Sequence, residues 1–238
     1  MGSLWRRSVE LIALCALASC SGAYSLQRPL DPDSAKQLSG RWLARTERRS
    51  ADFSSSKPMA HPLAAMGGLL GVLIDSGLDS GDVEGFDENR VVDPARAISR
   101  QLRHDLERHY GLRHARRAVP FDADDATKLA ALDPSADVVI DVWTEDLSLL
   151  ALREDTSKFH LHYVAGLRLI DARAPHPIDG KTGLVIAEGT CERAPDDPAS
   201  AATREQLLAD GARRLKSELE QATQTCIRDF RARLLRAE

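Results

Sequence analysis

The stretch FHLHYVAGLRLID at residues 159–171 decides the fold, because its apolar and polar residues alternate almost without interruption. Such alternation is typical of a β-strand with one face on the core and the other in water. We therefore predict a strand here, with His160, His162 and Arg168 on the solvent-exposed face. The predicted core face consists of Phe159, Leu161, Tyr163, Ala165, Leu167 and Leu169.

Two neighbouring segments complete a small sheet. Residues 137–152 (DVVIDVWTEDLSLLAL) have the β-branched richness of a strand, and residues 184–191 (LVIAEGTC) supply a third strand. The connection DARAPHPIDGKTG at residues 171–183 is rich in Pro, Gly and Asp, which favour turns. The second and third strands should therefore form a hairpin.

A helix is predicted before these strands. Asp93 and Pro94 are typical of a helix N-terminus, because Asp caps free amides and proline at the first position loses no hydrogen bond. Gly111 is typical of a helix C-terminus. Between these two ends, apolar side chains recur at every fourth position, at Ile98, Leu102, Leu106 and Tyr110.

A longer helix is predicted over residues 201–235, and residues 112–121 and 124–132 are assigned to a short strand and a short helix. The fold class is therefore α+β, with an antiparallel sheet of three to five strands packed against a mid-chain helix and a long C-terminal helix. The apolar stripe of the long helix contains Leu208, Ala212, Leu215, Leu219, Ala222, Cys226 and Phe230.

The start of the chain has the layout of an export signal. Arg6 and Arg7 supply positive charge before an apolar run at residues 9–18, which only Glu10 interrupts. A transmembrane helix needs about 20 apolar residues, so this run is too short to span a bilayer stably. We therefore predict that residues 1–19 are removed as a signal peptide.

Residues Leu17-Ala18-Ser19-Cys20 resemble the lipobox of bacterial lipoproteins, in which an apolar residue and two small residues precede a cysteine. The resemblance implies cleavage before Cys20 and lipidation of its thiol, which holds the protein to a membrane. Ser21, and not Asp, follows the cysteine, so the resemblance further implies the periplasmic face of the outer membrane. An ordinary secretory signal cut near Ala18 or Ala23 is the alternative.

The predicted organisation is a lipidated N-terminus and flexible tether over residues 20–57, followed by a single α+β periplasmic domain over residues 58–238. The spacer is expected to run to about Gly40, and Trp42 and Leu43 are expected to start the first ordered strand. Cys191 and Cys226 are the two cysteines beyond the signal peptide and the lipidation site. In an oxidising periplasm we expect them to form a disulfide. Two free thiols or a redox pair are the alternatives.

The segments RLIDAR (residues 168–173) and KTGLVIAEG (residues 181–189), joined by a turn, resemble a hairpin of periplasmic lipoprotein domains. The domain type is that of the TolB N-terminal and curli-secretion lipoprotein group, in which the order of elements is similar to that of residues 93–189. The resemblance implies the same α+β class, and no functional residue is transferred from it.

The net charge and the absence of known motifs narrow the classes of function that the sequence predicts. The formal charge is −4 at pH 7, which gives no basic footprint for nucleic acid. The sequence contains no Walker loop, GxSxG, CxxC or HExxH motif. No cofactor and no enzymatic activity are therefore predicted.

Two polar clusters on the predicted strands are candidates for chemistry. His160 and His162 lie two residues apart, so both imidazoles could reach one metal ion. No third ligand follows at a sequence spacing typical of a metal site. Glu145 with Asp146 or Asp141 could form an acid and base pair. In both cases solvated residues on a strand face are the simpler interpretation.

Two further segments also allow two interpretations. Asp122, Asp124 and Asp125 could bind calcium, but the loop lacks the glycine and glutamate of an EF-hand, so helix capping is the better interpretation. Residues 63–74 (LAAMGGLLGVLI) are either a small-residue segment packed on the domain or a segment that contacts a membrane or a partner.

The sequence predicts a non-enzymatic, lipid-anchored periplasmic domain that binds another envelope component, as an accessory or regulator of an assembly or transport complex. Arg113, Arg116 and Arg117 could touch anionic lipid or that partner, although a solvated strand edge is the simpler interpretation. One alternative is a periplasmic enzyme or small-ligand binder. Another is a secretion-channel subunit in which residues 63–74 or the strands enter the membrane. No oligomeric state is predicted.

Overall fold

The sheet and its helices confirm the predicted α+β class. In the described residues the sheet has seven strands, of which three are only two residues long. The computed structural model describes residues 27–48, 91–115, 118–120, 126–132, 135–152, 154–175, 182–194 and 198–235.

The elements alternate irregularly between helices and strands along the chain. In chain order they are α1 (Pro32–Lys36), β1 (Trp42–Glu47), α2 (Pro94–Tyr110), β2 (Arg113–His114), β3 (Val119–Pro120), α3 (Ala126–Leu132), β4 (Val138–Ala151), β5 (Lys158–Pro175), β6 (Thr182–Arg193), a 3-10 turn (Pro198–Ser200), β7 (Ala202–Thr203) and α4 (Arg204–Leu234).

The spatial strand order is β2-β1-β4-β5-β6, with β3 pairing to β1 and β7 to β5. The pairs β4–β5 and β5–β6 are antiparallel, as the sequence predicts. The first strand differs from the expected antiparallel pattern, because β1 runs parallel to β2, β3 and β4. Parallel neighbours need a long crossover, and α2 lies between β1 and β4 in the chain.

One face of the sheet is covered by α2 and α4, and we call it the helix face. The side chains that the alternation of β5 assigns to the core are buried there, apart from the partly buried Phe159. Apolar residues of α2 and α4 pack on them, including Leu102 and Phe230. Their burial removes apolar surface from water, which is the main favourable contribution to folding.

The ends of α2 lie where the sequence places them. The Asp93 carboxylate accepts a hydrogen bond of 2.9 Å from the backbone N–H of Ala95. Gly111 ends the helix with a φ of 66°, a left-handed conformation that glycine adopts without a steric penalty.

The long C-terminal helix differs from the uninterrupted helix predicted over residues 201–235. It begins after Thr203, whose side chain forms a capping box with Gln206. Its backbone then leaves the helical conformation at residues 209–212, where Asp210, Gly211 and Ala212 have positive φ. A glycine within a helical pattern is the sequence feature that indicates this break.

A disulfide joins Cys191 on β6 to Cys226 on α4. The two Cα atoms lie 5.4 Å apart, within the range that disulfides span. Both cysteines are buried in the helix-face core, so the bond links the sheet directly to its covering helix.

The flexible tether predicted over residues 20–57 is incorrect for residues 27–40, which are part of the domain, whereas Trp42 and Leu43 start β1 as expected. Leu30 and Leu38 are buried in the helix-face core. Arg28 pairs with Glu188 on the outer edge of β6 through two backbone hydrogen bonds of 2.8 and 2.9 Å. Apolar burial and pairing to an exposed strand edge together hold this segment on the domain.

Candidate functional site

The face of the sheet opposite the helix face is divided into two parts. One part is a small apolar cluster beneath α3, which includes Val139, Ile170 and Leu129. The other part carries charged and aromatic side chains, and we call it the polar face. It comprises Thr46, Arg48, Asp141, Trp143, Glu145, Asp146, Ser148, His162, Gly166, Arg168 and Glu192.

Asp141 organises the polar face, and its side chain is completely buried. Arg48 donates two hydrogen bonds to the carboxylate, at 2.9 Å to Oδ1 and 2.7 Å to Oδ2. Arg168 Nε donates to Oδ2 at 2.8 Å, and the Thr46 hydroxyl donates to Oδ1 at 2.6 Å. A buried carboxylate is tolerated only when it is paired and hydrogen-bonded, and four donors satisfy this one.

Trp143 lies beside the same two arginines. The guanidinium carbon of Arg48 is 4.8 Å from the ring centroid and that of Arg168 is 5.4 Å away, both within cation–π range. The ring lies against Gly166, which is paired with Trp143 in the register of β4 and β5. A Cβ atom on Gly166 would come within 2.2 Å of the indole, so only glycine leaves room for this ring position.

A β-bulge in β4 places an additional carboxylate beside the tryptophan. The register with β5 shifts between Thr144 and Asp146, so Glu145 is the extra residue. Desolvation by burial raises the pKa of Glu145, and a hydrogen bond with the Trp143 side chain opposes part of that rise. The bulge therefore brings a partly desolvated carboxylate to the edge of the indole.

His162 is buried and bridges two carboxylates, although the alternation of β5 predicts an exposed side chain. Its Nδ1 lies 2.7 Å from Asp146 Oδ2 and its Nε2 lies 3.1 Å from Glu192 Oε1. His160 takes a different partner, with Nδ1 3.3 Å from the Ser200 hydroxyl.

The histidine positions do not support the metal-site hypothesis. Within the ranges that the structure describes, no group of three or more His, Cys, Asp or Glu side chains could hold a metal ion. Both nitrogens of His162 already face carboxylate oxygens, and His160 lies beside a serine. The structure does not bring the two imidazoles to a shared ligand set.

The candidate acid and base residues also take separate partners. Asp141 is held by two arginines, Asp146 faces His162, and Glu145 faces Trp143. General acid–base catalysis requires a proton donor or acceptor within hydrogen-bond reach of the reacting group. Asp141 has neither solvent access nor an unused oxygen for that role.

A cavity of about 140 Å³ opens where β1 ends and α2 begins. The backbone at the start of α2 and the bulged part of β4 form two of its walls. Its charged and hydroxyl-bearing lining residues are Arg45, Thr46, Glu47, Arg48, Asp93, Arg96, Ser99 and Thr144.

A hydrogen-bonded chain fixes one wall of this cavity. The Thr144 hydroxyl donates to Asp93 Oδ1 at 2.6 Å, and its oxygen lies 3.4 Å from the Tyr163 hydroxyl. Burial of the Tyr163 side chain raises the pKa of its hydroxyl, which therefore stays protonated. The chain links the core strand β5 to the N-terminal cap of α2.

A second cavity, of about 180 Å³, lies between β5, β6 and α4. Arg214 crosses it, donating to the backbone oxygen of Ser200 at 2.6 Å and pairing with Glu218 at 3.3 Å. The guanidinium group of Arg214 is therefore already engaged with neighbouring protein groups. The lining residues are Leu161, Arg193, Ser200, Arg214, Glu218 and Gln221.

Several residues singled out from the sequence lie outside the described ranges, so their structure is not described. These are Cys20, residues 63–74, the two arginines Arg116 and Arg117, and the acidic residues Asp122, Asp124 and Asp125. Arg113, the third arginine of the basic cluster, lies over the half-exposed Trp42, with its guanidinium carbon 5.8 Å from the ring centroid.

Sequence reasoning did not identify Thr46, Arg48 or Ser99 as site residues. One signal was present for Asp141, which is the single charged residue within the apolar run VVIDVW at residues 138–143. A charge in the middle of a buried strand requires a partner of opposite charge. The sequence does not show which of its many arginines that partner is.

No protein-family model matches the sequence, and no curated protein matches it. Among solved structures, the hypothetical protein CT253 from Chlamydia trachomatis aligns with a TM-score of 0.42 and 12% identity, over 82% of this chain and 95% of that chain. Lipoprotein GNA1162 from Neisseria meningitidis aligns with a TM-score of 0.27 and 13% identity, over 79% of this chain and 99% of that chain. Neither similarity is high enough to support a structural or functional argument.

In the described ranges, no helix is long and apolar enough to cross a membrane.

Proposed function

We propose that this protein is a lipid-anchored envelope domain, held to the periplasmic face of the outer membrane through Cys20, that binds another envelope protein without performing chemistry. The observation that carries the proposal is the rigid group of Arg48, Arg168 and Trp143 around the buried Asp141. Its role is that of an accessory or regulator of an envelope assembly or transport complex.

The composition and rigidity of this group support a binding role. Tryptophan and arginine are enriched among the residues that contribute most to protein interfaces. Side chains already fixed in position lose little conformational entropy on binding, which favours affinity. Asp141 fixes both arginines, and Gly166 allows the indole to lie against the sheet.

The position of Gln27 limits the reach of the proposed anchor. Only residues 21–26 separate Cys20 from Gln27, the first described residue. Seven extended residue steps span at most about 25 Å. The proposed partner is therefore in or close to the same membrane, and the domain does not use a long spacer to reach across the periplasm.

The anchor is tested by mass spectrometry of the protein purified from native membranes. We expect an N-terminal Cys20 carrying fatty-acyl chains, and we expect Cys20→Ser to shift the protein from the membrane fraction to the periplasmic fraction. Cys15→Ser, which changes the other cysteine of the N-terminal region, should leave fractionation unchanged. An unmodified N-terminus, or a Cys20→Ser variant that stays with the membrane, contradicts the proposal.

The partner surface is tested by site-specific photocrosslinking in intact cells. A crosslinking residue at Val164, between Asp146 and Glu192 on the polar face, should give a discrete adduct with an envelope protein. The same residue at Glu220, exposed on α4, is the matched control and should give none. The adduct should be lost in a Trp143→Ala background. Equal adducts from both positions, or none from Val164, contradict the proposed surface.

A small-ligand binder is the second candidate function. The observation that favours it is the cavity at the start of α2, whose lining contains Ser99, a buried hydroxyl without a hydrogen-bond partner. An experiment that separates the two candidates requires a defined class of ligand. The residues that line the cavity indicate that class.

A further inference from the structure

We propose that the cavity at the start of α2 binds a small carboxylate ligand, either a free acid or the carboxyl-terminal residue of a peptide. The proposal does not depend on the lipid anchor or on a protein partner, although the cavity shares Thr46, Arg48 and Trp143 with the polar face. It rests on the unpaired donors, the charge and the size of the cavity.

The first observation is a buried hydroxyl without a partner. Ser99 lines the cavity and is only 2% exposed, and its Oγ has no hydrogen-bond partner. Buried polar atoms are nearly always hydrogen-bonded, so an exception at a cavity points to a missing group. A ligand oxygen in the cavity would accept this hydrogen bond.

Two guanidinium groups are also available. Arg45 and Arg96 line the cavity, and within the described residues neither side chain forms a hydrogen bond or an ion pair. Arg48, the third arginine of the lining, is already bound to Asp141. A guanidinium recognises a carboxylate through two parallel hydrogen bonds, which makes the free pair suited to this ligand class.

The start of α2 adds a favourable field. Asp93 satisfies the N–H of Ala95, but an α-helix has four N–H groups without intrahelical partners in its first turn. The helix dipole places partial positive charge at this end, which favours an anion. Because α2 has 17 residues, the full dipole is developed.

Charge and size select the kind of anion. Arg45 and Arg96 are the two lining arginines without a counter-ion among the described residues, and the carboxylates of Glu47 and Asp93 line the same cavity. A monoanionic carboxylate brings less negative charge beside these two acidic residues than a phosphate dianion does, so the lining favours the carboxylate. A cavity of about 150 Å³ holds a benzene-sized molecule, so this one of about 140 Å³ accommodates a small acid.

The test is a titration of the purified full chain, followed by backbone amide chemical shifts. Acetate and N-acetylalanine should cause saturable shifts in the first turn of α2 and at Thr144. N-acetylalaninamide, which lacks the carboxylate, should cause none. Tighter binding of N-acetylalanine than of acetate identifies a peptide terminus as the ligand source, and equal binding identifies a free acid.

Variants connect the binding to the donors. Ser99→Ala should weaken acetate binding about tenfold, which is the loss of one hydrogen bond to a charged acceptor, and Arg96→Ala should weaken it about tenfold or more. Arg100→Ala is the matched control, because its side chain donates to the backbone oxygen of Arg96 and lies outside the cavity lining. Binding in this control should equal that of the parent chain.

Three results overturn the proposal. One is the absence of saturable shifts with both carboxylates, and another is tighter binding of inorganic phosphate than of acetate. The third is unchanged affinity in Ser99→Ala and Arg96→Ala when both variants melt at the parent temperature. None of these results bears on the crosslinking at Val164, so the two proposals fail separately.

Discussion

The two faces of one sheet are stabilised in different ways. On the helix face, β5 contributes apolar side chains such as Leu167, which pack against α2 and α4. On the polar face, the same strand contributes Arg168, which is buried in an ion-pair cluster. Apolar packing is non-directional, whereas a buried ion pair requires close geometry and complete hydrogen bonding. The polar face should therefore be the more sensitive of the two to a single substitution.

The largest effect is expected for Asp141→Ala. The substitution leaves Arg48 and Arg168 buried without their shared counter-ion, which costs about 3–5 kcal/mol of unfolding free energy. Urea denaturation followed by far-UV circular dichroism measures the change. Asp33→Ala removes an exposed pair with Lys36 and should cost less than about 1 kcal/mol. Similar losses for the two variants would show that the buried cluster contributes no more than a surface pair.

The disulfide is the corresponding test of the helix face. Replacing both Cys191 and Cys226 by alanine opens a loop with a sequence separation of 35 residues. The entropic model assigns about 3 to 4 kcal/mol to a loop of this length. Equilibrium unfolding of the oxidised parent and of the double variant measures the difference. The parent in excess reductant should match the variant, and a parent whose stability does not change on reduction contradicts the assigned bond.

A pair of glycines compares the two faces directly. Gly166→Ala forces the indole of Trp143 away from the sheet, because the new Cβ meets rigid ring atoms at 2.2 Å. Overpacking of this kind costs about 1–3 kcal/mol. Tryptophan fluorescence should change together with stability. Gly189→Ala on β6 meets mainly the flexible ends of Gln27 and Arg233, so it should cost clearly less. The reverse order would show that Trp143 is not held in this position.

Elements with local signals were predictable from the sequence. The cap at Asp93 and the glycine at Gly111 fixed both ends of α2, because capping depends on a few adjacent residues. The period of two in β5 assigned its helix face correctly, because a buried face selects apolar residues at every second position. The antiparallel hairpin of β5 and β6 followed from turn residues between them.

Features that depend on distant contacts were not predictable. Leu30 and Leu38 are isolated apolar residues in a polar segment, and only their contacts in the core show that the segment belongs to the domain. Thr46, Asp141 and Arg168 are separated by many residues in the sequence, and only the parallel pairing of β1 with β4 brings the first two together. Alternation alone predicted a solvated face there, because periodicity shows which side chains share a face and not what covers them.

The smallest expected effect concerns the charge of Glu145. Desolvation raises its pKa in the folded protein above the unfolded value of 4.5, despite the hydrogen bond with Trp143. The folded state therefore binds more protons than the unfolded state, so stability falls as the pH rises from 4.5 through the raised folded pKa.

Glu145→Gln removes this titration and keeps an oxygen that accepts from the indole N–H of Trp143. The variant should match the parent below pH 4 and become more stable than the parent at neutral pH. Because the Glu145 side chain is only partly buried, solvent screening limits the gain to less than about 1 kcal/mol. Urea unfolding at several pH values measures it, with Glu220→Gln on α4 as an exposed control. A gain that does not depend on pH would assign the effect to packing and not to charge, and the polar face would then resemble the helix face at this position.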